Sequence, residues 1–267
     1  MLFPTSPSPR SSRARLALTA AALLAASAAA AHPALAVSPS TKTVQTSRGE
    51  FPLLVFTPPD PSDRPLVLLT SGEGGWRRFD DQLADVLTGA GCFVGGIDVT
   101  KYFWEPQDDR QKLAADMRAY ASALAVAAGR KADAPVILAG FSFGADLAPW
   151  VAGAGGWENR LAGMILIGPD ETGSLQFRIL EILGFQPKDH TFSVGEALDG
   201  VKGVKTAFIH GEKDDKSAAV RLAARATEPK KLLVAAGADH HFSGQEDRLK
   251  TLLKQALDWI ATTGTHD

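Results

Sequence analysis

Pro135-Val136-Ile137-Leu138-Ala139-Gly140-Phe141-Ser142-Phe143-Gly144-Ala145-Asp146 is the stretch on which the reading of this chain turns. Its first five residues form an apolar run of strand length, and Ala145 to Val151 has the character of an opening helix. Between them stands a small-X-Ser-X-small pentapeptide. Turning from strand to helix at one residue puts Ser142 in a strained backbone conformation with its hydroxyl exposed. The glycines two before and two after let neighbouring backbone approach without a Cβ clash. A glycine-rich turn with an incidental serine would give the same pattern, so the rest of the chain must supply the partners a nucleophile needs.

Apolar runs of strand length recur on both sides of this stretch: Phe51 to Thr57, Pro65 to Thr70, Cys92 to Ile97, Met164 to Gly168, Val204 to His210 and Lys231 to Ala236. Most are continuous rather than alternating, which predicts strands covered on both faces. Segments with helical spacing lie between them. Phe79, Leu83, Val86 and Leu87 form one stripe, Leu113, Met117, Tyr120 and Leu124 another. Leu249, Leu252, Leu253, Ala256, Leu257 and Ile260 form a third, with Ser243 and Glu246 spaced as a capping box. Strands alternating with helices predict an α/β fold, a mostly parallel central sheet with helices on both faces. Phe51 to Thr57 follows a polar lead-in and reads as an antiparallel edge.

Parallel sheets place their working loops at the carboxyl ends of strands, and three of those loops are chemically loaded. A serine hydroxyl needs a general base at neutral pH. His240 follows the last strand, just before the final helix, and is the preferred base, with His241 as its neighbouring alternative. The imidazole needs a carboxylate to fix its tautomer. Gly211-Glu212-Lys213-Asp214-Asp215 supplies Asp214, with Asp215 and Asp170 as alternatives. The loop could equally be a solvated charge run, but serine, acid and histidine follow one another here in the order of a strand-end triad. Acyl transfer also needs backbone N–H groups aimed at a developing oxyanion. Phe143 offers one, and Gly72 and Glu73, in Ser71-Gly72-Glu73-Gly74-Gly75-Trp76, offer the second. No Gly-Lys-Ser/Thr follows that loop, which argues against a phosphate cradle, and no paired-histidine spacing predicts a metal site. No cofactor is implied.

The 267 residues carry 28 basic and 30 acidic side chains. Arg10, Arg13 and Arg15 precede an apolar stretch, Leu16 to Ala31, and Ala34-Leu35-Ala36 is a small-X-small cleavage pattern, so residues 1–36 read as a signal peptide and 37–267 as one domain. Cleavage would leave a formal charge of about −5, which does not suggest a nucleic-acid binder. Cys92 is the single cysteine, so no intrachain disulfide can form.

The elbow, with the loops of Asp214 and His240, resembles the α/β-hydrolase superfamily. The Ser71 to Trp76 loop, Lys101-Tyr102-Phe103-Trp104, Gly144-Ala145-Asp146 and His240-His241-Phe242 narrow the resemblance to the VirJ family, related to the C-terminal domain of AcvB proteins. The likeness spans roughly Pro65 to Ile260. It departs where Glu73 stands in place of an expected aspartate and Phe143 in place of a smaller residue. The resemblance implies a periplasmic serine hydrolase, for AcvB-like members an esterase acting on aminoacyl-phosphatidylglycerol. VirJ-like members are also associated with type IV secretion and virulence, which gives a second expectation: a non-catalytic periplasmic factor that docks secretion-system proteins. A generic carboxylesterase is the enzymatic alternative. Trp76, Tyr102 and Trp104 are candidate substrate contacts, although bulky aromatics after strands are commonly packing residues. Thr172 to Val194 is the candidate cap or membrane contact.

Overall fold

The computed structural model describes residues 38–176 and 190–262. The expected leader and the middle of the Thr172 to Val194 insertion lie outside the described residues. The strands are β1 (Ser40–Thr46), β2 (Gly49–Phe56), β3 (Leu66–Thr70), β4 (Val94–Ile97), β5 (Val136–Phe141), β6 (Leu161–Ile167), β9 (Thr206–Gly211) and β10 (Lys230–Ala235), joined in one sheet of order β1-β2-β4-β3-β5-β6-β9-β10. β7 (Thr172–Ser174) and β8 (Thr191–Ser193) form a separate antiparallel pair. β1 with β2 and β2 with β4 are antiparallel, and every other pairing in the large sheet is parallel.

The apolar runs of β3, β4, β5, β6 and β9 are buried from both sides, with alternate residues on opposite faces as the two-residue period of a strand requires, whereas the run from Lys231 falls in the edge strand β10 and leaves Leu232 and Val234 exposed. Leu66, Leu68, Val136, Leu138, Met164 and Leu166 join the core on one face. Val67, Leu69, Ile137, Ala139, Ile165 and Ile167 join the core on the other. Against the second face pack α1 (Arg78–Gly89) and α7 (Glu246–Ala261), through Leu83, Leu87, Leu249, Leu253, Leu257 and Ile260. Each such side chain contributes about 1.5–3 kcal/mol on full burial. The first face is covered by α3 (Arg110–Ala127), α4 (Phe143–Ala152), α5 (Val194–Asp199) and α6 (Ala219–Arg225), after the short α2 (Val99–Tyr102).

Capping residues set several of these starts. The Asp109 carboxylate accepts from the Gln111 and Lys112 amides ahead of α3, and the Ser193 hydroxyl accepts from Glu196 ahead of α5. The box expected from Ser243 and Glu246 does not form. The Ser243 amide is taken by Asp239 Oδ1 at 2.9 Å, and α7 begins after Gln245 with no side-chain cap.

The edge also differs from expectation. β2 is antiparallel as predicted but is not the outermost strand, because β1 pairs along its whole length. β1 escapes the sequence pattern because five of its seven residues are exposed and only Val44 and Thr46 turn inward.

The turn after β1 is fastened to the core by one carboxylate. Asp116 of α3, itself 3% exposed, accepts from the Ser47 amide at 2.7 Å, the Ser47 hydroxyl at 2.7 Å and the Tyr102 hydroxyl at 2.5 Å. Removing this acceptor leaves the buried Tyr102 hydroxyl without a partner and unfastens the exposed Ser47 turn from the core. Asp116→Ala is therefore expected to cost about 2–3 kcal/mol of stability, read as a lower denaturant midpoint in urea unfolding.

Candidate active site

Ser142 sits at the junction of β5 and α4 with φ 50° and ψ −118°, a left-handed conformation rarely held by a residue with a Cβ. Strain of this kind amounts to about 1–3 kcal/mol and persists only where the surroundings enforce it. Here the Ser142 amide donates to Ile167 O at 2.9 Å, and the Ser142 carbonyl accepts the Ala145 and Asp146 amides that open α4. The flanking glycines are sterically required. A Cβ on Gly140 would stand 2.2 Å from the Gly144 carbonyl carbon, and one on Gly144 would stand 2.2 Å from Thr70 O. Phe143, bulkier than expected for its position, turns its ring into the core against Phe103, with centroids 5.4 Å apart. Its size therefore does not crowd the serine.

The amides of Phe143, Gly72 and Glu73 donate to no carbonyl or side chain among the described residues. These are the groups expected to face an oxyanion, and the amino end of α4 adds the positive end of its dipole.

Asp214 and His240, predicted from separate loops, are brought together. His240 Nδ1 is 2.7 Å from Asp214 Oδ2, with the carboxylate side chain 1% exposed and the imidazole 19% exposed. Asp214 Oδ1 accepts from the amides of Lys216 and Ser217 at 3.2 and 3.1 Å, which fixes the carboxylate. The Lys213 amide donates to Ala238 O at 2.8 Å, tying the two loops to each other, and Phe242 anchors the histidine loop at 0% exposure. The imidazole lies against the Phe141 ring, centroids 4.9 Å apart. With Nδ1–H donated to Asp214, Nε2 is left as the acceptor, the tautomer a general base requires.

The other acids do not serve this histidine. Asp170 donates its amide to Asp146 Oδ1 at 2.8 Å and uses its own carboxylate on the Glu171 amide. Asp215 is exposed, as is His241.

The Ser142 hydroxyl itself donates to Glu73 Oε2 at 3.0 Å, and among the described residues His240 is not its partner. Sequence reasoning placed Glu73 here for its backbone amide and missed the carboxylate, although its departure from the expected aspartate marked the position. Catalytic hydrogen bonds commonly tighten only when substrate is bound.

A cavity of about 530 Å³ opens beside these groups, lined by Glu73, Arg77, Asp80, Phe141, Lys216 and His240 among others. The aromatic candidates lie elsewhere. Tyr102 is 1% exposed and spends its hydroxyl on Asp116, and Trp76 stacks on Phe56 while its indole N–H donates to Asp81 at 2.8 Å. A buried ring with a polar atom must find a partner, and these two find theirs in the scaffold. Trp104 is 59% exposed and does not line the cavity. No group of three or more His, Cys, Asp or Glu side chains among the described residues is arranged to hold a metal ion.

Two buried carboxyls near the site are shifted. Burial holds Asp146 well above the usual carboxylate range, with the Asp170 amide opposing and the charges of Asp170 and Glu73 adding to the rise. Burial likewise pushes Asp80 up to about 7 against the hydrogen bond from the Arg77 amide, and Asp80 Oδ1 has no hydrogen-bond partner.

The family model of the bacterial virulence protein VirJ matches residues 64–261. The chain belongs to the VirJ family. No curated protein sequence matches it. Among solved structures, a dienelactone hydrolase from Anabaena variabilis superposes with a TM-score of 0.62 at 16% identity, covering 85% of this chain and 99% of that one. Est1E from Butyrivibrio proteoclasticus gives 0.60 at 13%, covering 83% and 99%. An α/β serine hydrolase without a lid from Xanthomonas campestris gives 0.57 at 20%, covering 85% and 97%. These likenesses establish the α/β-hydrolase fold for this VirJ-family chain.

The raised Asp80 makes a pH prediction. Between the ordinary carboxylate range and about 7, the folded state holds a proton that the unfolded state has lost, so this group's contribution to stability falls as pH rises through that window. Asp80→Asn is expected to remove the effect. Relative to the variant, the unaltered protein should lose stability from pH 4.5 to 7.5 in urea unfolding, and a pH-independent difference would refute the assignment.

Proposed function

We propose that this protein is an exported serine hydrolase that cleaves carboxylic esters, with Ser142 as nucleophile, His240 as base and then acid, and Asp214 as the orienting carboxylate. The observation that carries the reading is the 2.7 Å His240–Asp214 contact at the strand ends beside an elbow whose serine is held at φ 50°. A protein that only docks partners has no use for a strained serine or for a histidine with its tautomer fixed.

The chemistry follows from these positions. Ser142 Oγ bonds to the ester carbonyl carbon as its proton passes to His240 Nε2, and the carbonyl oxygen takes the charge opposite the amides of Phe143 and the Gly72–Glu73 loop. The imidazolium that forms is stabilised by Asp214. His240 then returns the proton to the leaving alkoxide oxygen as the carbon–oxygen bond breaks, leaving an acyl group on Ser142. Water, deprotonated by His240, attacks that acyl carbon, and the acid departs as the serine regains its proton.

An aminoacylated phosphatidylglycerol is the substrate this reading favours. Such a lipid pairs a cationic amine with an anionic phosphate. The cavity has both signs of charge, with Glu73 beside the nucleophile and Arg77 and Lys216 elsewhere in its lining. No described helix is long and apolar enough to cross a membrane. Delivery to the periplasm, with a leader cleaved after Ala36, puts the domain on the side where such a headgroup is accessible.

A fluorophosphonate probe, which traps activated serines, tests the enzyme reading. Stoichiometric labelling is expected for the unaltered protein and none for Ser142→Ala, with Asp214→Asn slowing ester turnover by at least about a thousand-fold. Labelling with no release of amino acid from aminoacyl-phosphatidylglycerol would leave the hydrolase and remove the substrate. An unlabelled protein would remove both.

A further inference from the structure

The Glu73 carboxylate has no part in the triad chemistry, yet it stands against the nucleophile. Its Oε2 accepts from Ser142 Oγ at 3.0 Å, and among the described residues no Lys, Arg or His pairs with it. Glu73 is exposed, and a carboxylate there, even screened by water, disfavours attack on an ordinary ester. The oxyanion forms on the carbon that Oγ attacks, so a second negative charge close to Oγ opposes it. The same carboxylate also holds the hydroxyl away from His240.

Both costs vanish if the acyl group brings its own cation to this spot. At attack the carbonyl carbon lies about 3 Å from Oγ. An amine on the adjacent carbon is about 2.5 Å from that carbonyl carbon by ordinary bond lengths and angles. A charge-assisted N–H···O bond of about 2.8 Å from such an ammonium to Oε2 closes a four-sided figure with the observed 3.0 Å edge.

Resting on the serine-hydrolase reading, we infer that Glu73 is a specificity-determining residue that receives the α-ammonium of an aminoacyl ester and, in doing so, releases the Ser142 hydroxyl to His240. An ammonium offers three donors and a full charge, so it adds an ion pair to the hydrogen bond where the serine hydroxyl brings only a dipole. The substrate's amine therefore displaces the serine from Glu73. A neutral acyl group cannot, and it meets a nucleophile still engaged and an oxyanion site still faced by a carboxylate.

The test compares alanine ethyl ester with N-acetylalanine ethyl ester, which share a leaving group and differ in the cation. In the unaltered protein kcat/KM should favour the free amine. In Glu73→Gln, which keeps the backbone amide, the ratio of the two should fall about ten-fold, the loss expected when the ionic part of that contact is removed. Fluorophosphonate, an uncharged probe, reports that the nucleophile of the variant is intact, and Glu73→Ala is read in the same way should the glutamine variant not label. An unchanged ratio in a labelled variant, or an equal loss on both esters, would overturn the inference and leave the hydrolase standing. Absence of labelling and of turnover in the unaltered protein would overturn the hydrolase reading and this one with it.

Discussion

Everything at the site depends on a close approach of backbone to backbone. The turn from β5 into α4 brings Gly140 against Gly144 and Gly144 against the end of β3, at separations that leave no room for a Cβ on either. That contact forces the reversal at Ser142 and fixes where the hydroxyl emerges. It also lays the amino end of α4 beside the loop after β3, bringing Gly72 against Phe141 and Glu73 against Ser142. The cost of the strained residue is met by the sheet. β5 lies between β3 and β6, buried on both faces, and the Ser142 amide is itself a rung of the ladder to β6.

The second requirement is that two loops more than twenty residues apart in sequence meet each other at the serine's end of the sheet. Parallel pairing of β9 with β10 starts both loops from the same end of the sheet. The Lys213–Ala238 hydrogen bond then ties one to the other, and the Asp214 carboxylate is locked by amides of its own loop before it meets the imidazole. Orientation of the imidazole thus comes from backbone hydrogen bonds and a locked partner side chain.

Much of this was legible in the sequence because parallel strands buried on both faces leave an unbroken apolar run. Val136 to Ala139 and Leu66 to Leu69 carry that mark, and strand-end loops follow from it. The strand-end placement of Ser142, Asp214 and His240 was legible for the same reason: each stands just beyond such a run. β1 was not, since an edge strand with exposed threonines and lysine has no apolar run to read. Tyr102 and Trp76 were misplaced because sequence shows that a ring follows a strand but not which way it turns. Tyr102 turns towards Asp116 of α3 and Trp76 towards Phe56, both contacts between distant segments. The Glu73–Ser142 contact lay beyond reach as well, being a side-chain meeting across 69 positions. Asp80 was hidden because its single satisfied oxygen serves a local cap, while the orphaned one becomes visible only with the cavity around it.

The claim at the centre is that Ser142 carries an acyl group between two half-reactions. Rapid quenching of the protein with a slowly hydrolysed aromatic ester, followed by intact-mass measurement and peptide mapping, observes that species directly. A serine mechanism predicts a mass gain of one acyl group, confined to the peptide containing Ser142 and lost with the kinetics of turnover. Turnover with no mass gain, or an acyl group on any other residue, would contradict it.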